Sequence, residues 1–182
     1  MDKDDWEQVE LFHKSKLPIK AFEGMPHGHI KAADLRPHMS RVWNDYFKFA
    51  IVRNPFERFV STCFFMNKNN KVFLTNPTAF MKLRFRDYDF LNDSVYMPQT
   101  EYLKGQNGEM AMDFLGDFAS LQKSFDQIAQ KVGLAHKKLN QINQSVHKEA
   151  DLYFDSELKE LIADYYAEDI ALYKTVHAGF GD

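Results

Sequence analysis

The chain has 182 residues, 45% of them apolar, with 17 Phe and 8 Tyr, which is enough length and aromatic mass for one domain with a real core and excludes a disordered chain. A net charge of −3 argues against general nucleic-acid binding and makes any basic patch a local one. The single cysteine, Cys63, excludes an intrachain disulfide and a cysteine-based zinc site and reads as a core thiol; with no run near the roughly 18 apolar residues of a membrane span and no signal peptide in MDKDDWEQVE, a soluble, cytoplasmic or otherwise intracellular protein is expected.

No repeat, low-complexity tract or charged linker divides the chain, so residues 1–182 read as a single domain. Residues 1–26, polar and carrying Pro18 and Pro26, read as irregular or as a short helix. A short helix is expected near residues 32–35, stopped by Pro37. Residues 47–52 (FKFAIV) have the aromatic and β-branched composition of a buried strand. Arg53 closes it, Asn54 is placed as the N-cap of the next helix, Pro55 stands at its first position, and Glu57 has the spacing of a capping box. That helix is expected to end at residues 67–70. Residues 75–93 start with the cap signal of Asn76 and Pro77 and then read as a substrate-side loop. There Lys82, Arg84 and Arg86 would share one side if the chain were extended, as a surface for an anionic glycan or simply a solvated strand face. Residues 109–114 (EMAMDF) alternate after the turn signal of Gly105 and Gly108 and read as a second strand. Leu121, Phe125, Ile128, Ala129 and Val132 repeat at helical spacing up to Gly133, and Asp155 or Ser156 caps a last helix with Leu158, Leu161, Ile162, Tyr165 and Ile170 on its apolar face. Strands separated by helices imply a parallel α/β sheet.

A strand that runs straight into a helix N-terminus offers unpaired N–H groups and the positive end of the dipole, and Arg53 adds a guanidinium there. This is a site for an anion. The segment VRNPFERFVS resembles the 3′-phosphate-binding segment of the PAPS-dependent sulfotransferases, in which an arginine ending a strand and a serine eight residues on hold the 3′-phosphate of the nucleotide. Here these are Arg53 and Ser61, and Ser61 lies two helical turns beyond Asn54, on the same side as the cap. HGHIKAADLR, MPQTEYL and the segment from LNQINQSVH to ALYK resemble, in order, the carbohydrate branch of that family, over residues 27–174. The resemblance implies a P-loop-like parallel sheet flanked by helices, PAPS as cosubstrate with PAP as product, and no metal.

His27 and His29 resemble the paired histidines of the uronosyl 2-O-sulfotransferases, where one removes the acceptor proton. A sugar hydroxyl is a poor nucleophile until it loses that proton, and an imidazole is suited to take it near neutral pH. A loop with two solvated histidines is the other reading. Arg58, one turn before Ser61, assists the phosphate or forms a structural salt bridge. Gln99 and Tyr102 line the cleft, or form a polar turn with one buried aromatic. Ser145 and His147 fall where the family has an Asn-x-Ser motif that closes over the nucleotide.

The chain departs from the family ahead of Arg53. Members open with a glycine-rich loop whose lysine stabilises charge on the bridging oxygen, and no such loop is found here; Lys14, Ser15 and Lys16 lack the glycines that form a phosphate nest. A truncated or degenerate enzyme, a binding protein that keeps the 3′-phosphate half, and a substitute segment are the three explanations. The expected function is therefore PAPS-dependent transfer of a sulfuryl group to a hydroxyl of a carbohydrate-type acceptor on an N-terminally incomplete sulfotransferase fold. The alternative is a non-catalytic module that binds PAP, PAPS or sulfated glycan. Without the loop-bearing strand, the apolar edge of residues 46–52 is expected to be covered by residues 1–26 or, preferably, by a second copy in a homodimer.

Overall fold

Strand β1 (Phe49–Val52) and strand β2 (Phe114–Asp117) form a parallel pair in the computed structural model, which describes residues 29–40, 42–140 and 150–180. Phe49 lies opposite Phe114, Ala50 opposite Leu115, Ile51 opposite Gly116 and Val52 opposite Asp117. A parallel pair needs a long crossover, and the chain supplies a helical one. Four elements precede or follow β1 closely: α1 (Ala32–Leu35), a 3₁₀ turn (Arg36–Met39) that carries the chain through Pro37, then α2 (Pro55–Met66) and α3 (Lys71–Thr75). The crossover continues with α4 (Pro77–Arg84), α5 (Tyr88–Asn92) and α6 (Gln99–Leu103). After β2 come α7 (Leu121–Val132), a 3₁₀ turn (Ala150–Tyr153), α8 (Ser156–Tyr165) and α9 (Ala167–Ala178).

The caps account for most of the helix starts. Asn54 accepts from the Phe56 N–H at 3.0 Å with Pro55 at the first helical position, Asn76 accepts from Ala79, and Asp155 accepts from Leu158 at 2.9 Å. Gly133 ends α7 in the left-handed conformation at φ 74°, which an L side chain would strain. Glu57 does not close a box on Asn54 but turns toward Arg53, its carboxylate 3.9 Å from Nε.

Three expectations need correction. The second strand begins at Phe114, because residues 109–111 close the Gly105–Gly108 turn by pairing back on Lys104 and Leu103. Residues 75–93 are largely helical, so Lys82 and Arg84 do not share a side, because positions two apart on a helix point nearly opposite ways, and Arg86 lies in the turn after α4. The last helix is broken at Tyr166, whose buried ring anchors the joint between α8 and α9 with its hydroxyl donating to the Tyr96 carbonyl.

The larger core joins α2 to α8 through Phe59, Val60, Cys63, Phe73, Met81, Leu158, Ile162 and Tyr166. Phe59 is 1% exposed and its ring meets Phe85 at 5.0 Å, with Phe90, Tyr96 and Tyr166 around it. A smaller core under the sheet packs Val52 against Leu103 of α6 and Val176 of α9. These two cores fix α2 and α9 near the C-terminal end of β1. Among the described residues β1 pairs with β2 alone, and Phe49 at its start and Tyr46 before it are exposed. Residues 1–26 lie outside the described residues.

Candidate functional site

The ends of both strands are held by side chains that supply a donor and an acceptor at once. At β1, the Gln99 amide accepts from the Arg53 N–H (3.0 Å) and donates to the Arg53 carbonyl (2.9 Å), as a neighbouring strand would. At β2, the Ser124 hydroxyl accepts from the Asp117 N–H (2.9 Å) and donates to the Asp117 carbonyl (3.0 Å). Gln99 is itself fixed by the buried Asp169 of α9, whose carboxylate accepts from the N–H groups of Gln99 (2.7 Å) and Thr100 (2.8 Å). That carboxylate sits at the start of α6, where unpaired N–H groups stabilise a negative charge.

Arg53 leaves the strand end with its guanidinium 4.8 Å above the Phe118 ring. Its Nε is buried and makes no hydrogen bond among the described residues. Burial pushes this guanidinium below the ordinary arginine range, Glu57 pulls it back up, and Arg58 pushes it down again. A buried donor without an acceptor is costly, and an anion would remove the cost.

On another side of α2, a cavity of about 430 Å³ is lined by His29, Arg58, Ser61 and Tyr102, with Thr62, Phe65, Met66, Ser94 and Val95 completing the wall. His29 comes from the segment before α1, Arg58 and Ser61 from successive turns of α2, and Tyr102 from α6. The His29 and Tyr102 rings stand 6.2 Å apart. Burial pushes the Tyr102 phenol up, against the pull of Arg58, and its hydroxyl donates to the Ser94 carbonyl at 2.7 Å. Arg58 donates to the carbonyls of Val95 (3.1 Å) and Met97 (3.0 Å), so it ties the wall of the cavity to α2 through carbonyls and not through a salt bridge. Arg53 stands outside this lining.

The other expected site residues are placed differently. Gln99 spends its amide on Arg53 and Asp169 and not on a cleft wall. Arg84 pairs with Asp87 at 3.0 Å and stacks over Phe80, while Lys82 bonds to Asp155 and Glu157; Arg86 is exposed. His27, Ser145, His147 and residues 14–16 lie outside the described residues. The described residues hold no group of three or more His, Cys, Asp or Glu able to bind a metal, and no helix among them is long and apolar enough to cross a membrane.

Sequence reasoning missed the pair that closes the end of β2. Asp117 is fully buried, and its carboxylate lies 2.6 Å from Nδ1 of His177 on α9. A carboxylate closing an apolar strand was the available signal; its partner is remote in sequence.

No curated protein and no solved structure matches the chain. The model of the sulfotransferase family matches residues 11–174, which include the Arg53 strand end, the cavity and most of the last two helices, and the chain therefore belongs to the sulfotransferase family.

Proposed function

We propose that this chain is a PAPS-dependent sulfotransferase acting on a hydroxyl of a carbohydrate-type acceptor. The observation that carries the reading is the cavity beside α2, which gathers His29, Arg58, Ser61 and Tyr102 from three separate segments of the chain. The buried Nε of Arg53, which makes no hydrogen bond among the described residues, fits a phosphate group at the start of the same helix. In this reading Arg53 takes the 3′-phosphate at the start of α2, Ser61 and Arg58 meet the nucleotide from the cavity on another side of that helix, and Ser145 is a further nucleotide contact. Tyr102 lines the acceptor side. His29, with His27 as its neighbour in sequence, takes the proton of the acceptor hydroxyl, which makes the oxygen nucleophilic. When bound, the nucleotide supplies the sulfuryl group.

Calorimetric titration with adenosine 3′,5′-bisphosphate, paired with a sulfate-transfer assay, tests this. Arg53→Ala is expected to lose about 1.5 to 3 kcal/mol of binding, about tenfold or more in affinity, with an unchanged circular dichroism spectrum. His29→Gln is expected to lower turnover about a hundredfold while leaving nucleotide affinity in place. Binding without transfer would instead make the chain a nucleotide-binding module. Unchanged affinity in Arg53→Ala would overturn the phosphate assignment.

A further inference from the structure

A second cavity, of about 440 Å³, lies between α5, α6 and the joint of α8 and α9, and it shares no lining residue with the cavity beside α2. Its walls carry Lys31 ahead of α1, Thr100 and Glu101 of α6, Asp164 and Tyr165 of α8, and Glu168 of α9. The Tyr165 hydroxyl donates to the Leu91 carbonyl at 2.6 Å, which ties α8 to α5 at the wall. Thr100 is the wall residue with an unused group. Its N–H donates to Asp169 at 2.8 Å and its carbonyl accepts from the Lys104 N–H at 3.1 Å, so its backbone is satisfied. The residue is 6% exposed, and its hydroxyl is buried with no hydrogen-bond partner among the described residues. The carbonyl four residues back, where a helical threonine hydroxyl commonly bonds, is that of Tyr96, and it already accepts from the Tyr166 hydroxyl. A buried hydroxyl without a partner is costly, and a polar ligand in the cavity removes the cost. One step of χ1, which threonine tolerates in a helix, exchanges methyl and hydroxyl and presents the oxygen to such a ligand.

The charge of the walls gives the sign of that ligand. Glu101 is met by Lys31 at 3.8 Å and by Lys104 at 3.2 Å, and Lys104 also bonds to Glu168. Asp164 is exposed and has no ion pair among the described residues. Behind Thr100 stands the buried Asp169, and the Arg58 guanidinium donates to the carbonyl of Met97, another wall residue. Four carboxylates, those of Glu101, Asp164, Glu168 and Asp169, therefore stand against three cations, Lys31, Lys104 and Arg58. A second phosphate or sulfate would add to the excess; an ammonium group removes it. The volume is at the small end of the roughly 300–1,000 Å³ of ligand pockets and suits a molecule of sugar size. We infer that this cavity binds a polyhydroxylated amine of the size of an amino sugar, with its ammonium paired to Asp164, a hydroxyl bonded to Thr100 Oγ1, and its carbon skeleton against Met97 and the Tyr165 ring. The site stands apart from the phosphate assignment of Arg53 and does not depend on it.

The test is titration of the full chain with glucosamine, with glucose as the uncharged probe of the same skeleton, at about pH 6, where the amine and the carboxylates are charged. Saturable binding of glucosamine is expected by calorimetry or ligand-observed NMR, with glucose weaker by about tenfold or more. Asp164→Asn is expected to bring glucosamine down to the level of glucose. Thr100→Val keeps the shape and removes the unpaired hydroxyl, so it is expected to weaken both sugars several-fold while its denaturant midpoint stays at or above that of the wild type. Glu160→Gln, one turn earlier on α8 and outside the cavity, controls for general attraction to an acidic surface and is expected to bind glucosamine as the wild type does. Equal affinity for the two sugars, wild-type binding in Asp164→Asn or Thr100→Val, an equal loss in Glu160→Gln, or no saturable binding by the wild type would each overturn the assignment.

Discussion

Gln99 shows at the scale of one residue how the arginine is held before any ligand arrives. Its amide covers both backbone groups of Arg53, and Asp169 in turn holds Gln99. Replacing it by leucine keeps the bulk and removes donor and acceptor together, leaving two half-buried backbone groups unpaired at about 1–3 kcal/mol. Gln99→Leu is therefore expected to lower the denaturant midpoint by that amount and to weaken bisphosphate binding, because a frayed strand end no longer aims Arg53. Wild-type stability in that variant would show that the pairing is dispensable. The place of Arg53 at a strand end and of Ser61 on the following helix was legible in the sequence because each sits in a short local pattern. The relay from Asp169 through Gln99 to Arg53 was not, since these positions are 70 and 46 residues apart and meet only once α9 has packed on the sheet. The Asp117–His177 pair, 60 residues apart, was hidden for the same reason.

Among the elements, β2 packs closely on α7, and Gly116 permits it. A Cβ at Gly116 would stand 2.7 Å from both Ile51 Cδ1 and Ser124 Cβ, and 2.9 Å from the Ser124 hydroxyl that holds the Asp117 backbone. Gly116→Ala is expected to destabilise the fold by about 1–3 kcal/mol through overpacking, measurable by chemical denaturation. It should also weaken the His177 contact by shifting the end of β2. An unchanged midpoint would mean that α7 can withdraw without loss. The helices α2, α7 and α8 were readable from caps and stops, which act within a few residues. The start of β2 was not, because alternation in residues 109–114 fits a strand and a turn-closing bridge equally well, and only the pairing with Lys48 and β1 selects the later start. The helical course of residues 77–92 was missed because its aromatic residues serve a core, around Phe59, that no local window reveals.

Across the whole molecule, ion pairs on the surface tie segments that are distant in the chain, and their titration contributes to the pH dependence of the fold. Hydrogen bonds from Lys82 and then from the Leu158 N–H hold the Asp155 carboxyl below its ordinary range; Lys48, through its side chain and then its N–H, does the same for Asp113. Glu109 is lowered first by its own backbone N–H and that of Asn107, with Arg36 adding to the effect. Each of these folded-state pKa values lies below the unfolded one. Their contribution is therefore present above the unfolded values, near pH 4, and is lost as the pH falls through the folded ones. Lys82 and Lys104 behave oppositely: hydrogen bonds to Asp155 and Glu157, and to Glu168 and Glu101, raise them, so their contribution is complete below about pH 10 and is lost as the pH rises through the folded values. Thermal melts are expected to show a plateau between these limits and a fall on the acid side that begins below about pH 4. The groups are exposed, so added salt should flatten both flanks. Lys82→Met separates this account from general acid unfolding, because it should lower the melting temperature on the plateau and leave a shallower acid flank. An acid flank of wild-type steepness in Lys82→Met would place the acid sensitivity elsewhere in the molecule.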